Sequence, residues 1–142
     1  MAITMQNSLR GASNYDAAYV LADTQTVTTD AAGKDSGGNA TYIDLADYVG
    51  STWVAHLRYT EAQYTDETYE IQIHSSDATN FSSYNVEKQV GMGIAADVAA
   101  SSNKYFLVGA FSPTKRYVRA YINTSGTAPS LAIDKIWVSP LG

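Results

Sequence analysis

A chain of 142 residues with 45% hydrophobic content can bury a core without disulfide staples, and it has no cysteine with which to make any. The same absence excludes thiolate catalysis and cysteine-based zinc sites. A net charge of −5 disfavours a nonspecific hold on phosphate backbones, so nucleic acid is not an expected partner.

The charged fraction, 16%, lies well under the usual value of about 25%, and Ser, Thr, Asn, Ala and Tyr take the vacated places. Such a surface makes many neutral polar contacts and suits a subunit of an assembly. No stretch approaches the ~20 apolar residues of a spanning helix, and the first residues lack a basic flank followed by an apolar run. The expectation is a protein neither exported by a signal peptide nor anchored in a membrane.

In chain order, residues 1–16 have little periodicity and read as an extended N-terminal arm. Ile3, Met5, Leu9 and Tyr15 are apolar where a disordered tail would be polar, so the arm is either a frayed terminus or a segment that orders on a partner. Ala18 to Thr29 is β-branched enough for a first strand. Asp30 to Asn39 is a turn-rich loop; its aspartates and glycines lack the alternate carboxylates and closing glutamate of a calcium loop. Thr41 to Leu45 is a second strand.

Thr52 to Thr60 alternates Trp53, Ala55, Leu57 and Tyr59 with Val54, His56, Arg58 and Thr60, and Tyr69 to Ser75 alternates in the same way. Their matched amphipathicity predicts a hairpin in which Arg58 or His56 faces Glu70 or His74. Asp77 to Ser83 reads as loop and Tyr84 to Gly91 as a further strand. The Ala-rich segment Ile94 to Ser101 supports one or two helical turns at most. From Asn103 to Pro140 three strands follow, Tyr105 to Phe111, Arg116 to Thr124 and Leu131 to Val138, read as a meander whose first and last members are core strands. About eight strands with almost no helix predict an all-β fold, one β-sandwich or jelly-roll domain over residues 17–142 behind the arm.

Chemistry is sparse. The two histidines, His56 and His74, sit on polar faces of strands, where solvation or cross-strand pairing is the expectation, and no third ligand accompanies them for a metal. No nucleophile elbow, P-loop or dinucleotide fingerprint occurs; Gly91-Met92-Gly93 lacks a third glycine and the strand-to-helix setting. Neither catalysis nor a cofactor is therefore expected. Eleven tyrosines are the compositional oddity. Tyr117, Arg119, Tyr121 and Asn123 share one face of their strand while Val118, Ala120 and Ile122 take the other. That stripe is a solvated or edge-packed face, a protein interface rich in hot-spot residue types, or a stacking platform for sugars or bases.

The run Lys115-Arg116-Tyr117-Val118-Arg119-Ala120-Tyr121-Ile122, then Thr124-Ser125-Gly126-Thr127-Ala128-Pro129 and a short last strand, resembles the C-terminal signature of small cement (decoration) proteins of tailed-phage capsids. Thr41 to Leu45 and the Ser75-Ser76-Asp77 turn are similar to earlier parts of that family, so the likeness covers Thr41 to Val138. Ser130-Leu131 departs from the small residues and glycine expected there. The resemblance implies a jelly-roll subunit that forms a homotrimer on the outside of an icosahedral head and clamps neighbouring major capsid protein subunits. It implies a virion protein made in a bacterial host's cytoplasm; on that reading the candidate interface residues are Ile3, Met5, Leu9, Arg10 and Tyr15 of the arm and Tyr117, Arg119 and Tyr121 of the stripe. A carbohydrate-binding β-sandwich module, motivated by tyrosine and tryptophan on such a fold, is the alternative.

Overall fold

The structure, a computed structural model, describes residues 19–141; the arm residues Ile3, Met5, Leu9, Arg10 and Tyr15 lie outside them. The described residues are all-β. The strands are β1 (Val20–Val27), β2 (Ala31–Ala32), β3 (Ile43–Asp44), β4 (Trp53–Ala62), β5 (Thr68–Ser76), β6 (Asn85–Gly91), β7 (Lys104–Phe111), β8 (Tyr117–Ser125) and β9 (Leu131–Pro140). A 3-10 turn spans Ala46–Tyr48.

Two antiparallel sheets form a sandwich, one in the order β1-β9-β4-β7 and the other in the order β2-β8-β5-β6, with β3 also pairing β8. Period-two patterning decides which side chains meet between them. Trp53, Ala55 and Leu57 of β4 and Ile133, Ile136 and Val138 of β9 face Ile71 and Ile73 of β5 and Val118, Ala120 and Ile122 of β8, all at 3% exposure or less. Each valine, leucine or isoleucine among them, taken from water, contributes roughly 1.5–3 kcal/mol before its ordering entropy is counted.

The pairing departs from the sequence expectation at two places. β4 and β5 are not a hairpin: β4 lies between β9 and β7, β5 between β8 and β6, in opposite sheets. Arg58 therefore meets Asp134, and His74 meets Arg119. Nor is the end of the chain a meander, since β7 and β9 flank β4 in one sheet while β8 sits in the other. Only β5 and β6 are both consecutive and hydrogen-bonded among the described strands. Alternation tells a strand which face to bury and is silent about its partner, so equally amphipathic neighbours can lie on opposite sheets.

β7 is apolar on both faces, yet it is an edge strand. Val108 and Phe111 turn inward, and Tyr105 and Leu107 stand half-exposed on the outward face. The segment predicted as helical turns, residues 94–101, is irregular instead, with a reciprocal backbone pair between Val98 and Ala62 at 2.8 and 3.0 Å. A short uncapped segment gains too few internal bonds to nucleate a helix against that bridge.

The turn from β8 to β9 is clasped by the loop ahead of β5. Thr127 gives its N–H and hydroxyl to the Asp66 carboxylate at 3.0 and 2.8 Å, and Ala128 N–H donates to buried Glu67. Tyr69 hydroxyl donates to Gln63 O and accepts from Ser130 N–H. Gly126 makes the approach possible: its φ is +106°, and a Cβ there would stand 2.6 Å from Glu67 Cα. Gly126→Ala is expected to lower the unfolding free energy by at least about 2 kcal/mol, from the left-handed strain and the clash together. Gly38→Ala, at φ +82° with open space around it, costs only the roughly 1 kcal/mol of strain. Urea titrations of the two variants check the contrast.

Candidate functional site

The outward face of the five-stranded sheet assembles from three strands in register. β5 presents Glu70, Gln72 and His74; β8 sets Asn123, Tyr121 and Arg119 opposite them, and β6 adds Gln89 and Val86. The connection from β5 to β6 folds back over this face and delivers Phe81, buried, and Tyr84, half-exposed. Phe81 holds a left-handed φ of 52°, a position that reverses the chain toward the sheet.

His74 is the centre. Its ring stacks on Tyr84 at 4.0 Å between centroids and 10° between planes, and on Tyr121 at 5.1 Å and 19°. Arg119 Nε–H donates to His74 Nδ1 at 3.2 Å. Arginine has no acceptor, so Nδ1 is unprotonated and the ring's proton sits on Nε2, which donates to Gln72 Oε1 at 2.7 Å. Gln72, Asn123 and Gln89 then give their amide N–H groups to Glu70 at 2.8, 3.0 and 2.9 Å, and these bonds hold its carboxyl below the ordinary range. Cation, imidazole, amide and carboxylate form one connected line across the sheet. The Arg119 Cζ lies 4.5 Å from the Phe81 ring centroid, 5.1 Å from Tyr84 and 5.3 Å from Tyr121.

The sequence-predicted stripe divides here. Val118, Ala120 and Ile122 are fully buried and Tyr117, Arg119 and Tyr121 point the other way, as alternation requires. Arg119 and Tyr121 join the His74 cluster, whereas Tyr117 packs edge-on against Tyr42 at 5.5 Å beside the Arg116–Asp44 pair. Phe81 and Tyr84 were outside the stripe. Their only sequence signal is two aromatics amid small polar residues, Phe81 in the segment read as loop and Tyr84 at the start of the next strand.

The other sheet carries a comparable arrangement on its outward face. His56 stacks on Trp137 at 5.0 Å and 16°, with Nδ1 against Tyr105 hydroxyl at 2.7 Å and Nε2 against Ser139 hydroxyl at 3.0 Å. Of the two expectations for the histidines, cross-strand pairing holds and solvation does not: His56 bonds Tyr105 and Ser139 on the flanking strands and His74 bonds Arg119, yet the two are 1% and 0% exposed because aromatic side chains cover them. They also stand on different sheets with both ring nitrogens engaged, which removes them as joint metal ligands. Among the described residues no group of three or more His, Asp or Glu side chains is placed to hold a metal ion.

No protein-family model matches the chain, and no curated protein matches it. Among solved structures it is similar to the CBM22-1 and GH10 modules of the N-terminal endo-1,4-beta-D-xylanase 10B of Clostridium thermocellum complexed with xylohexaose, with a TM-score of 0.45 and 13% identity. The match covers 87% of this chain and 29% of that one.

Burial pushes the pKa of both histidines down to about 4 from an ordinary 6.5, and at His74 the adjacent Arg119 charge adds to the effect. Between those values the unfolded chain binds more protons than the folded one, so stability is full above about pH 6.5 and falls as pH drops toward 4. The expected loss by pH 5 is on the order of 2 kcal/mol per histidine. Urea midpoints at pH 7 and pH 5 should converge by about half in His74→Gln; an unchanged gap would contradict the neutral, buried assignment.

Proposed function

We propose that this chain is a structural virion protein, a capsid cement (decoration) protein that binds the outer surface of an icosahedral phage head as a homotrimer and clamps neighbouring major capsid subunits. The observation that carries the reading is the stripe on β8, where the residues of the cement-like run coincide with a surface of interface type. Arg119 and Tyr121 belong to a side-chain cluster already held in place by stacking and hydrogen bonds, so little rotamer entropy is lost when a partner seats on it. Tyr and Arg are the types enriched at hot spots, and Tyr84 at 44% exposure extends the same patch. Cementing asks for binding energy shared among copies, and three linked subunits turn modest contacts into firm attachment.

The alternative is a carbohydrate-binding module, favoured by one feature: half-exposed Tyr84 beside the amides of Gln72, Gln89 and Asn123. A glycan array without signal above background removes it. For the cement reading, light scattering at tens of micromolar should give a trimer mass, and a clean monomer counts against preassembly. Cosedimentation with phage heads stripped of the protein should show saturable attachment. Tyr84→Ala combined with Tyr121→Ala should weaken it by about 2 kcal/mol or more, roughly thirtyfold, with Lys104→Ala on the opposite sheet as the neutral control. Equal occupancy by all three proteins would take the patch out of the interface.

A further inference from the structure

Three arginines lie among the described residues, and two of them meet carboxylates. Arg58 Nε contacts Asp134 at 2.5 Å, and Arg116 grips Asp44 through Nε and Nη2 at 2.7 and 2.8 Å. Arg119 meets no carboxylate among the described residues; its one hydrogen bond to protein is the Nε contact with His74. The rings of Phe81, Tyr84 and Tyr121 attract its cation but accept none of its N–H groups in their planes. Nη1 and Nη2 are not sealed in: the side chain is half-buried, and neither atom is among the buried polar groups left without a partner.

A guanidinium that has lost part of its hydration, with its orientation fixed by stacked rings and by His74, is a preorganised receptor. With Nε occupied, the fork left open is the end-on pair Nη1 and Nη2, whose two parallel N–H vectors match the two oxygens of one carboxylate. Phosphate is the poorer fit. The cations that precede β8 are already committed, Lys115 to Asp77 and Arg116 to Asp44, so a dianion at Arg119 would meet a single positive charge on a chain of net charge −5. We infer that Arg119 is a receptor for one carboxylate, supplied by an acidic side chain of the protein on which this chain docks. The choice of a docking protein as the donor rests on the proposed function; the carboxylate site itself does not.

The test is an NMR titration of the 15N-labelled protein with sodium acetate at constant ionic strength, following the Arg119 Nε–H and His74 ring nitrogens. Acetate should produce a saturating shift, inorganic phosphate should bind several-fold more weakly, and Arg119→Lys, which keeps the charge and loses the fork, should abolish saturation. A linear drift overturns the inference, as does a response that persists in Arg119→Lys or phosphate binding tighter than acetate. If Arg119→Lys melts early, Phe81→Leu serves instead: it loosens the cage without touching the fork, and it should weaken acetate several-fold, an unchanged affinity counting against the site. Saturable acetate binding without attachment to heads keeps the site and removes the cement reading. Attachment that Arg119→Lys leaves intact, with a silent acetate titration, does the reverse.

Discussion

The bond from Arg119 Nε to His74 Nδ1 decides the state of everything on the five-stranded sheet's outward face. Because arginine only donates, the bond assigns the imidazole tautomer, and the tautomer assigns the direction of the bonds through Gln72 to Glu70. It also uses Nε and so leaves the other two nitrogens of the guanidinium without a protein partner among the described residues. Adding a proton to His74 would set two cations against each other at 3.2 Å inside a ring of tyrosines. The low dielectric that strengthens the neutral arrangement makes the charged one costly.

That face is polar and partly solvated at its margins, yet its central imidazole is dry. A sheet with one face in the core ordinarily leaves the other to water. Here His74 and His56 lie on the outward faces of their respective sheets and are nonetheless buried by aromatic rings. On the five-stranded sheet the cover comes from the loop between β5 and β6, the one hairpin among the described strands. Its Ser76 hydroxyl bonds Ser83 O and Ala78 N–H, which ties the two ends of the loop together and holds Phe81 and Tyr84 over the sheet. A loop anchored so locally brings its side chains to the sheet at small entropic cost.

The rest of the sandwich is built from distant pairings. β1 joins β9, β4 joins both β7 and β9, and β5 joins β8, so few contacts form before most of the chain has been made. Local clasps compensate. Asp66 and Glu67 hold the turn from β8 to β9, and Asp35 caps the loop after β2 through the N–H groups of Gly37 and Asn39 at 2.9 Å. Asp35 is therefore a turn former, in keeping with its place in a solvated loop.

Much was legible in the residues alone. The fold class and the positions of β1 and β3 to β9 follow from β-branched content, apolar runs and alternation together, and the two faces of β8 from alternation, since a half-buried strand leaves that mark wherever it pairs. The separation of Val118, Ala120 and Ile122 from Tyr117, Arg119 and Tyr121 is such a case. What tertiary structure decided was partnership: β4 and β5 on opposite sheets, β7 at an edge, and the loop carrying Phe81 and Tyr84 laid over His74. Those outcomes depend on which strands close the sandwich, a property of the whole chain that no local period records. The candidate site was half visible for the same reason, with Arg119 and Tyr121 marked by their strand and the rings and imidazole that fix them supplied from elsewhere in the fold.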